Sequence, residues 1–193
     1  GSKVYLGEYA SWGNKLYNAI AEAVYLTGLE RNGDVVLMAS YAPLLAKKGF
    51  TQWKTDMVFF DNTNICLTPN YHVQKIFMNN SGDQYYDGVI SIDQRDTTLA
   101  ASCVRDSQTG DIILKLINAG NEEKAMDVDL SGFKKLDDEA EKILLTGEAG
   151  AENSFENPNA LVPRDESVTV GAGGRLVYKF APASVTRLTL QLA

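Results

Sequence analysis

Residues 35–40 constrain the fold most, because they form an almost uninterrupted apolar run. Such a run is typical of a strand in a parallel sheet, where strands are buried on both faces. A short strand is also predicted at residues 3–7. Apolar side chains at helical spacing lie between the two, from Leu16 to Thr27. The chain is therefore predicted to begin with a β-α-β unit.

The signals for helix ends support this pattern. Asn14 is a suitable N-cap for the first helix, and Asn32-Gly33 is a typical C-terminal stop. Thr68-Pro69 predicts the start of a second helix, because a hydroxyl caps the helix and proline fits its first position. The buried face of that helix is expected to contain Val73, Ile76 and Phe77.

From residue 83 onward the pattern changes to strands alone. Turn residues such as Gly120-Asn121 and Ser131-Gly132 separate them. The candidates are residues 88–93, 99–106, 111–119, 125–130, 140–146, 167–170, 175–180 and 184–192. Many short antiparallel strands in series predict a β-sandwich, of which the jelly roll is one form. We expect a mainly β chain with two parts, residues 1–82 and residues 83–193.

The first part contains too few strands for the sheet that it predicts. Two parallel strands cannot form a sheet that is covered on both faces, and a (β/α)₈ barrel takes about 250 residues. We therefore expect residues 1–82 to be the βαβα end of a larger barrel. Gly1-Ser2 is typical of a cloning scar, which indicates a deliberate cut before Lys3.

Composition argues against several kinds of partner. The chain has 18 Lys and Arg against 25 Asp and Glu, a formal net charge of −7, so we expect no binding to nucleic acid. No apolar run approaches the roughly 20 residues that span a bilayer, so we expect no membrane partner. Exposed barrel strands would instead favour self-association of the chain, or refolding of the first part against the sandwich.

Metal and redox chemistry have little support. One histidine, His72, and two cysteines, Cys66 and Cys103, do not give the spacing of a zinc site, so we expect no metal and no cofactor. A disulfide is compatible with the cysteines, but two buried free thiols fit better. His72 fits a surface or packing role better than catalysis. The run Gly171-Ala172-Gly173-Gly174 is predicted to be a hairpin turn, because no helix follows it as in a phosphate loop.

Several motifs, in their order along nearly the whole chain, resemble the α-L-arabinofuranosidases of glycoside hydrolase family 51. The first is Val4-Tyr5-Leu6-Gly7-Glu8-Tyr9-Ala10. The others include Asn18-Ala19-Ile20-Ala21-Glu22-Ala23, Thr27-Gly28-Leu29-Glu30-Arg31-Asn32, Met38-Ala39-Ser40-Tyr41-Ala42-Pro43-Leu44, Phe60-Asp61-Asn62, Tyr71-His72-Val73-Gln74-Lys75-Ile76-Phe77, Leu114-Lys115-Leu116-Ile117-Asn118, Asn157-Pro158 and Val162-Pro163.

This resemblance implies a catalytic (β/α)₈ barrel followed by a jelly-roll sandwich, and a retaining mechanism with two glutamates. The family's nucleophile lies in a Glu-Tyr-Ala motif at the end of the seventh barrel strand. Glu8 of Glu8-Tyr9-Ala10 therefore carries over as the nucleophile position. Residues of this kind lie where barrels do their chemistry, at the carboxyl ends of strands.

The second glutamate of the family is missing from this pattern. It belongs to an Asn-Glu pair at the end of the fourth strand, upstream of residue 3. Asn121-Glu122 is predicted to be a hairpin turn between sandwich strands and no substitute acid. We therefore expect the isolated chain to be inactive, because a positioned general acid contributes about 10²–10⁴-fold to the rate.

Three aromatic residues are candidates for substrate binding: Trp12, Tyr41 and Trp53. Trp12 follows Glu8 and is the better candidate. Packing between barrel and sandwich explains Tyr41 and Trp53 at least as well, and it is an alternative for Trp12 too.

Two functions remain. The first is the C-terminal part of an α-L-arabinofuranosidase that acts on arabinose-containing oligo- or polysaccharides. A secreted or a periplasmic location of the parent enzyme is compatible with this function, and the sequence does not assign one. The second is a non-catalytic sandwich with a structural or carbohydrate-binding role. The few aromatic residues after residue 87 favour the first.

Overall fold

The computed structural model of the chain describes residues 1–93, 95–133, 136–170 and 174–191. It begins with strand β1 (Val4–Tyr9), helix α1 (Leu16–Arg31) and strand β2 (Val36–Tyr41). The two strands pair in parallel, with Tyr9 opposite Tyr41 at their carboxyl ends, which confirms the predicted β-α-β unit. Within the described residues they pair only with each other. The predicted burial of β2 is therefore wrong here: Leu37 and Met38 are exposed.

A small sheet follows β2. It consists of three strands in the order β3 (Leu45–Lys47), β4 (Val58–Phe60) and β5 (Ile65–Leu67). The sequence indicates only the apolar residues of β4. Strands of three residues are too short to show the alternation on which strand prediction depends.

Helix α2 (Pro69–Met78) begins where predicted. The Thr68 Oγ1 accepts a hydrogen bond from the Tyr71 backbone N–H at 3.2 Å, which satisfies one of the free donors of the first turn. The predicted inner face is confirmed, because Val73, Ile76 and Phe77 are all buried.

The predicted N-cap of α1 is wrong. Lys15 occupies the cap position, and its backbone N–H donates to the Asn18 side-chain oxygen at 3.2 Å. The Asn14 amide instead donates to the carbonyl oxygen of Asp56 at 3.0 Å. The Asn14 side chain, which local rules assign to the cap, therefore makes a tertiary contact instead.

The remaining strands form two antiparallel sheets. Their bounds are β6 (Gln84–Tyr85), β7 (Ile90–Ser91), β8 (Leu99–Arg105), β9 (Ile112–Asn118), β10 (Lys124–Asp129), β11 (Glu139–Thr146), β12 (Arg164–Thr169), β13 (Arg175–Phe180) and β14 (Ser184–Leu190). One sheet has the order β12-β11-β14-β9-β8-β6, and the other has the order β13-β10-β7. All eight predicted strands are present, although Leu192 lies outside the described residues. The mainly β fold is confirmed.

The six-stranded sheet is covered on both faces. Its inner face packs against the three-stranded sheet, with Leu114, Leu188 and Phe180 buried between them. Its outer face packs against α1 and α2, where Ile20 and Phe77 join Ile117 and Val185 in a second core. Residues from both halves of the sequence therefore share one apolar layer.

Both cysteines are buried and unpaired, as predicted. Cys66 lies in β5, and Cys103 lies in β8. Burial raises the pKa of the Cys103 thiol to about 12.

Asn121-Glu122 does not form a hairpin turn. The strands that it joins, β9 and β10, belong to different sheets, so the turn carries the chain from one sheet to the other. The Asn118 amide supports it by donating to the Glu122 carbonyl oxygen at 2.9 Å. The hairpin predicted at residues 171–174 falls largely outside the described residues. Its flanking strands, β12 and β13, also belong to different sheets.

Among the helices in the part of the chain that the structure describes, none is long and apolar enough to cross a membrane.

Candidate active site

Glu8 is exposed near the carboxyl end of β1. The strand continues for one residue, Tyr9, whose carbonyl oxygen accepts a hydrogen bond from the Ala42 backbone N–H at 3.2 Å. The ends of β1 and β2 therefore lie side by side. Of the three candidate aromatic residues, Trp12 lies in the loop that leaves β1, Tyr41 is the last residue of β2, and Trp53 lies in the loop between β3 and β4.

The residue after Glu8 is anchored below the surface. The Tyr9 hydroxyl donates to the Gln74 side-chain oxygen at 2.7 Å, and its ring lies 5.8 Å from the ring of Tyr41. Burial raises the pKa of the Tyr9 hydroxyl to about 12, so it remains a donor at neutral pH. Helix α2 thus holds the backbone that presents Glu8.

Tyr41 is 8% exposed and faces inward. Its hydroxyl donates to the Thr55 carbonyl oxygen at 2.9 Å. Burial and the neighbouring Glu22 carboxylate raise the pKa of this hydroxyl. Tyr41 therefore positions the loop before β4, and its ring is too buried to offer a surface for a ligand.

The accessible aromatic surface near these strand ends comes from Trp12 and Trp53, which are 80% and 51% exposed. Their ring centroids are 6.0 Å apart, and the rings are tilted by 49°. Glycine follows Trp12 for a physical reason: Gly13 has φ +141°, and a Cβ there would lie 2.8 Å from the Asn18 Oδ1. The structure thus brings together two residues that lie 41 positions apart in the sequence.

A buried carboxylate lies beneath these loops, and sequence reasoning missed it. Glu22 of α1 is 3% exposed. Its Oε1 accepts hydrogen bonds both from the Ser11 backbone N–H at 2.9 Å and from the Asn70 amide at 2.7 Å. A signal was available, because Glu22 interrupts the apolar stripe between Ala19 and Ala23.

Glu22 is a charged group in a poorly solvated place. Burial raises the pKa of its carboxyl, while the hydrogen bonds from Ser11, Asn70 and Gln74 oppose the shift. The Gln74 amide donates to its second oxygen at 3.3 Å. The carboxylate is therefore a hydrogen-bond acceptor for the loop and for α2.

Glu8 and the tryptophans lie on an open surface. Two grooves of the chain are found elsewhere: one of about 630 Å³ between α1 and β8, and one of about 790 Å³ beside β2. Neither groove is lined by Glu8, Trp12 or Trp53. Glu122 lies on the sandwich, in the turn between β9 and β10.

Known proteins that are similar to this chain include several α-L-arabinofuranosidases. An extracellular exo-α-L-arabinofuranosidase from Streptomyces chartreusis is 57% identical over 84 residues, which are 44% of this chain and 10% of that protein. α-L-Arabinofuranosidase 2 of Arabidopsis thaliana is 29% identical over 98% of this chain and 29% of that protein. The solved structure of the arabinose-bound MgGH51 α-L-arabinofuranosidase matches with a TM-score of 0.92 at 31% identity.

The match includes 100% of this chain and 33% of the chain of the MgGH51 structure. This chain thus spans about a third or less of the length of these relatives. The family model of the α-L-arabinofuranosidase C-terminal domain matches residues 7–184, which is most of the chain. The chain therefore belongs to the C-terminal domain family of the glycoside hydrolase family 51 arabinofuranosidases.

Proposed function

We propose that this chain is the C-terminal part of a retaining α-L-arabinofuranosidase that removes terminal arabinofuranosyl groups from plant polysaccharides or oligosaccharides. The observation that carries the proposal is the position of Glu8. It is exposed at the carboxyl end of a parallel strand, and the tyrosine after it is held from below. The activity that the names of the relatives state supports the substrate class.

In this proposal Glu8 is the nucleophile. Its carboxylate attacks the anomeric carbon and forms a glycosyl ester, while a second carboxyl protonates the departing oxygen. The second group then removes a proton from water, which hydrolyses the ester. This chemistry requires the two carboxyls to lie about 5–5.5 Å apart.

We propose that the second carboxyl comes from outside these residues. Glu122 is exposed in a turn of the sandwich and does not follow a parallel strand. Residues 1–82 would then complete a (β/α)₈ barrel together with upstream strands, and residues 83–193 would form the sandwich. The isolated chain would be inactive, because Glu8 alone cannot both attack carbon and protonate the leaving group.

The exposed aromatic residues fit a role in substrate binding. Trp12 and Trp53 are exposed and close to each other, and Trp12 lies in the loop that leaves the strand carrying Glu8, so the pair would stack on a sugar. Tyr41 would act from below, through its hydrogen bond to Thr55.

Hydrolysis of a nitrophenyl α-L-arabinofuranoside tests the proposal. The isolated chain should release no nitrophenol. Turnover by this chain that Glu8→Gln abolishes would contradict the missing acid. Joined to the upstream residues of its natural gene, the chain should be active, and Glu8→Gln should lower kcat by at least about 10³-fold.

Azide distinguishes a nucleophile from an acid. In the joined protein, azide should restore turnover to Glu8→Ala and form a glycosyl azide of inverted anomeric configuration. A product of retained configuration would assign Glu8 to the acid role instead. Glu122→Gln is the matched control, and its rate should equal that of the unsubstituted protein.

A non-catalytic binding module has less support. Tyr178 and Phe180 are 6% and 0% exposed in the sandwich core, so their rings are not available to a sugar. Strong retardation of the isolated chain in arabinan or arabinoxylan gels would favour this second function.

A further inference from the structure

The two tryptophans lie on loops that are anchored to the same buried network. The loop after β1 is held through the Ser11 backbone N–H, which donates to Glu22, and through the Gly13 carbonyl oxygen, which accepts from the Asn70 amide at 3.3 Å. Trp12 lies between these two anchors. Its ring is exposed while the backbone on either side is bonded to buried groups.

The loop before β4 joins the network through Asn14. The Asn14 amide donates to the Asp56 carbonyl oxygen at 3.0 Å and to the Asn70 side-chain oxygen at 3.1 Å. The Thr51 hydroxyl donates to the Asp56 carboxylate at 3.2 Å. Trp53 lies between Thr51 and Asp56, so its loop is bonded at both ends.

Asn70 links the two loops to Glu22. Its amide donates to the Glu22 carboxylate at 2.7 Å, while its oxygen accepts from Asn14. Asn70 and Glu22 are 0% and 3% exposed. A buried amide has few alternative partners, so the carboxylate, together with the more distant Gly13 carbonyl oxygen, fixes which way the Asn70 side chain is turned.

We propose that Glu22 is a positioning residue that holds the Trp12 and Trp53 loops together, and so sets the geometry of this aromatic pair. Its carboxylate orients Asn70, which orients Asn14, which holds Asp56. The role of the pair in sugar binding rests on the proposed function. The coupling of the two loops to Glu22 does not.

Removing the acceptor should separate the loops. In Glu22→Leu the Ser11 N–H and the Gln74 amide lose their buried acceptor, and the Asn70 amide keeps only the Gly13 carbonyl oxygen, so buried donors are left without partners. The exposed loops can recover hydrogen bonds to water by moving outward, which disturbs the contact between the rings. Glu22→Gln keeps one carbonyl oxygen for the Ser11 N–H and the Asn70 amide, loses only the bond from the Gln74 amide of α2, and should preserve the contact between the rings.

The chain provides its own spectroscopic probe, because Trp12 and Trp53 are its two tryptophans. Rings 6.0 Å apart and tilted by 49° should give an exciton couplet in far-ultraviolet circular dichroism. Trp53→Phe removes one partner and defines the signal without coupling. We expect Glu22→Leu to lose most of the couplet and Glu22→Gln to retain it.

Asn14→Ala tests the same link without replacing the buried carboxylate, and it too should lose most of the couplet. If Glu22→Leu does not fold, this variant decides the question. Glu30→Gln is the matched control, because Glu30 is a second glutamate of α1 and bonds to Lys115, away from the loops. It should lower stability and leave the couplet intact.

Three results would overturn the inference: an unchanged couplet in folded Glu22→Leu or Asn14→Ala, an equal loss in Glu22→Gln, or an equal loss in Glu30→Gln. None of these measurements involves a sugar or turnover. If azide does not rescue Glu8→Ala, the proposed role of Glu22 is unaffected. If the couplet is unchanged in the Glu22 variants, the proposed role of Glu8 is unaffected.

Discussion

Lys115 carries a charge into the interior of the chain. Its side chain is 0% exposed on the outer face of the six-stranded sheet. The ammonium forms an ion pair with Glu30 of α1 and lies 5.3 Å from the centre of the Phe77 ring of α2. Burial lowers the pKa of Lys115, and the Glu30 carboxylate opposes the shift. The pair thus bonds the helices to the sheet.

Glu30→Gln should destabilise the chain by about 3 kcal/mol, because it leaves a buried cation without its counter-charge. Lys115→Met should cost far less or stabilise, since Glu30 keeps some solvent contact and its bond to Ser102. Urea unfolding of both variants measures the difference. Equal losses in the two variants would contradict an origin in the uncompensated charge.

His72 gives the chain a specific sensitivity to acid. It is 8% exposed, and its Nε2 has no hydrogen-bond partner among the described residues. Burial, together with Lys75, lowers the pKa of His72 to about 4 from an ordinary value of 6.5. The fold therefore favours neutral imidazole, which agrees with the predicted packing role.

The contribution of His72 to stability should be complete above pH 6.5 and be lost as the pH falls from 6.5 to about 4. Over that range the folded state binds fewer protons than the unfolded chain, which costs at most about 1.4 kcal/mol per pH unit. His72→Phe should remove this dependence. The difference in unfolding free energy between the unsubstituted protein and His72→Phe should therefore change with pH over this range. The change can be assigned to His72, because it is the one histidine of the chain.

At the scale of elements, the β1–β2 pair is the unusual part of the fold. Parallel strands are normally covered on both faces and flanked by neighbours. Here Leu37 and Met38 are 68% and 60% exposed, and within the described residues each strand has one unpaired edge. Such edges favour pairing with another chain.

We therefore expect the isolated chain to self-associate as its concentration rises, and Leu37→Lys to weaken the association. A lysine on a strand opposes edge pairing by its charge and its hydration. Sedimentation equilibrium measures the change. Val177→Lys on β13 is the control, because Val177 is also an exposed apolar side chain, at 65%. An equal effect of the two variants would contradict association through β2.

For the whole molecule, the shared core decides how the two parts behave. Residues 1–82 and 83–193 stay a proposed division, yet Ile20 and Phe77 pack in one cluster with Ile117 and Val185. Neither part can unfold without exposing apolar surface of the other. Both tryptophans lie in the first part, whereas most strands lie in the second.

The chain should therefore unfold in one cooperative step. Tryptophan fluorescence and the far-ultraviolet signal should give the same midpoint, and Glu30→Gln should lower both together. Separate midpoints for the two probes would show that the parts are independent.

Much of the fold could be predicted from local pattern. The strands from β8 to β14 are short strand-forming segments separated by turn residues, and Thr68-Pro69 marks the start of α2, so their existence follows from local sequence. Strands β3, β5 and β6 are too short to carry such a signal. Asn14 fails as a predicted cap because a distant partner, Asp56, binds its amide.

The sequence by itself determined the family motifs, the position of Glu8 at a strand end, and the mainly β class. These depend on neighbouring residues and their period. The tertiary structure alone decided that Trp12 meets Trp53, that Tyr41 faces inward, and that Glu22 and Lys115 are buried charges with partners. Each of these joins residues far apart in the chain, and no local pattern encodes a distance between separate elements.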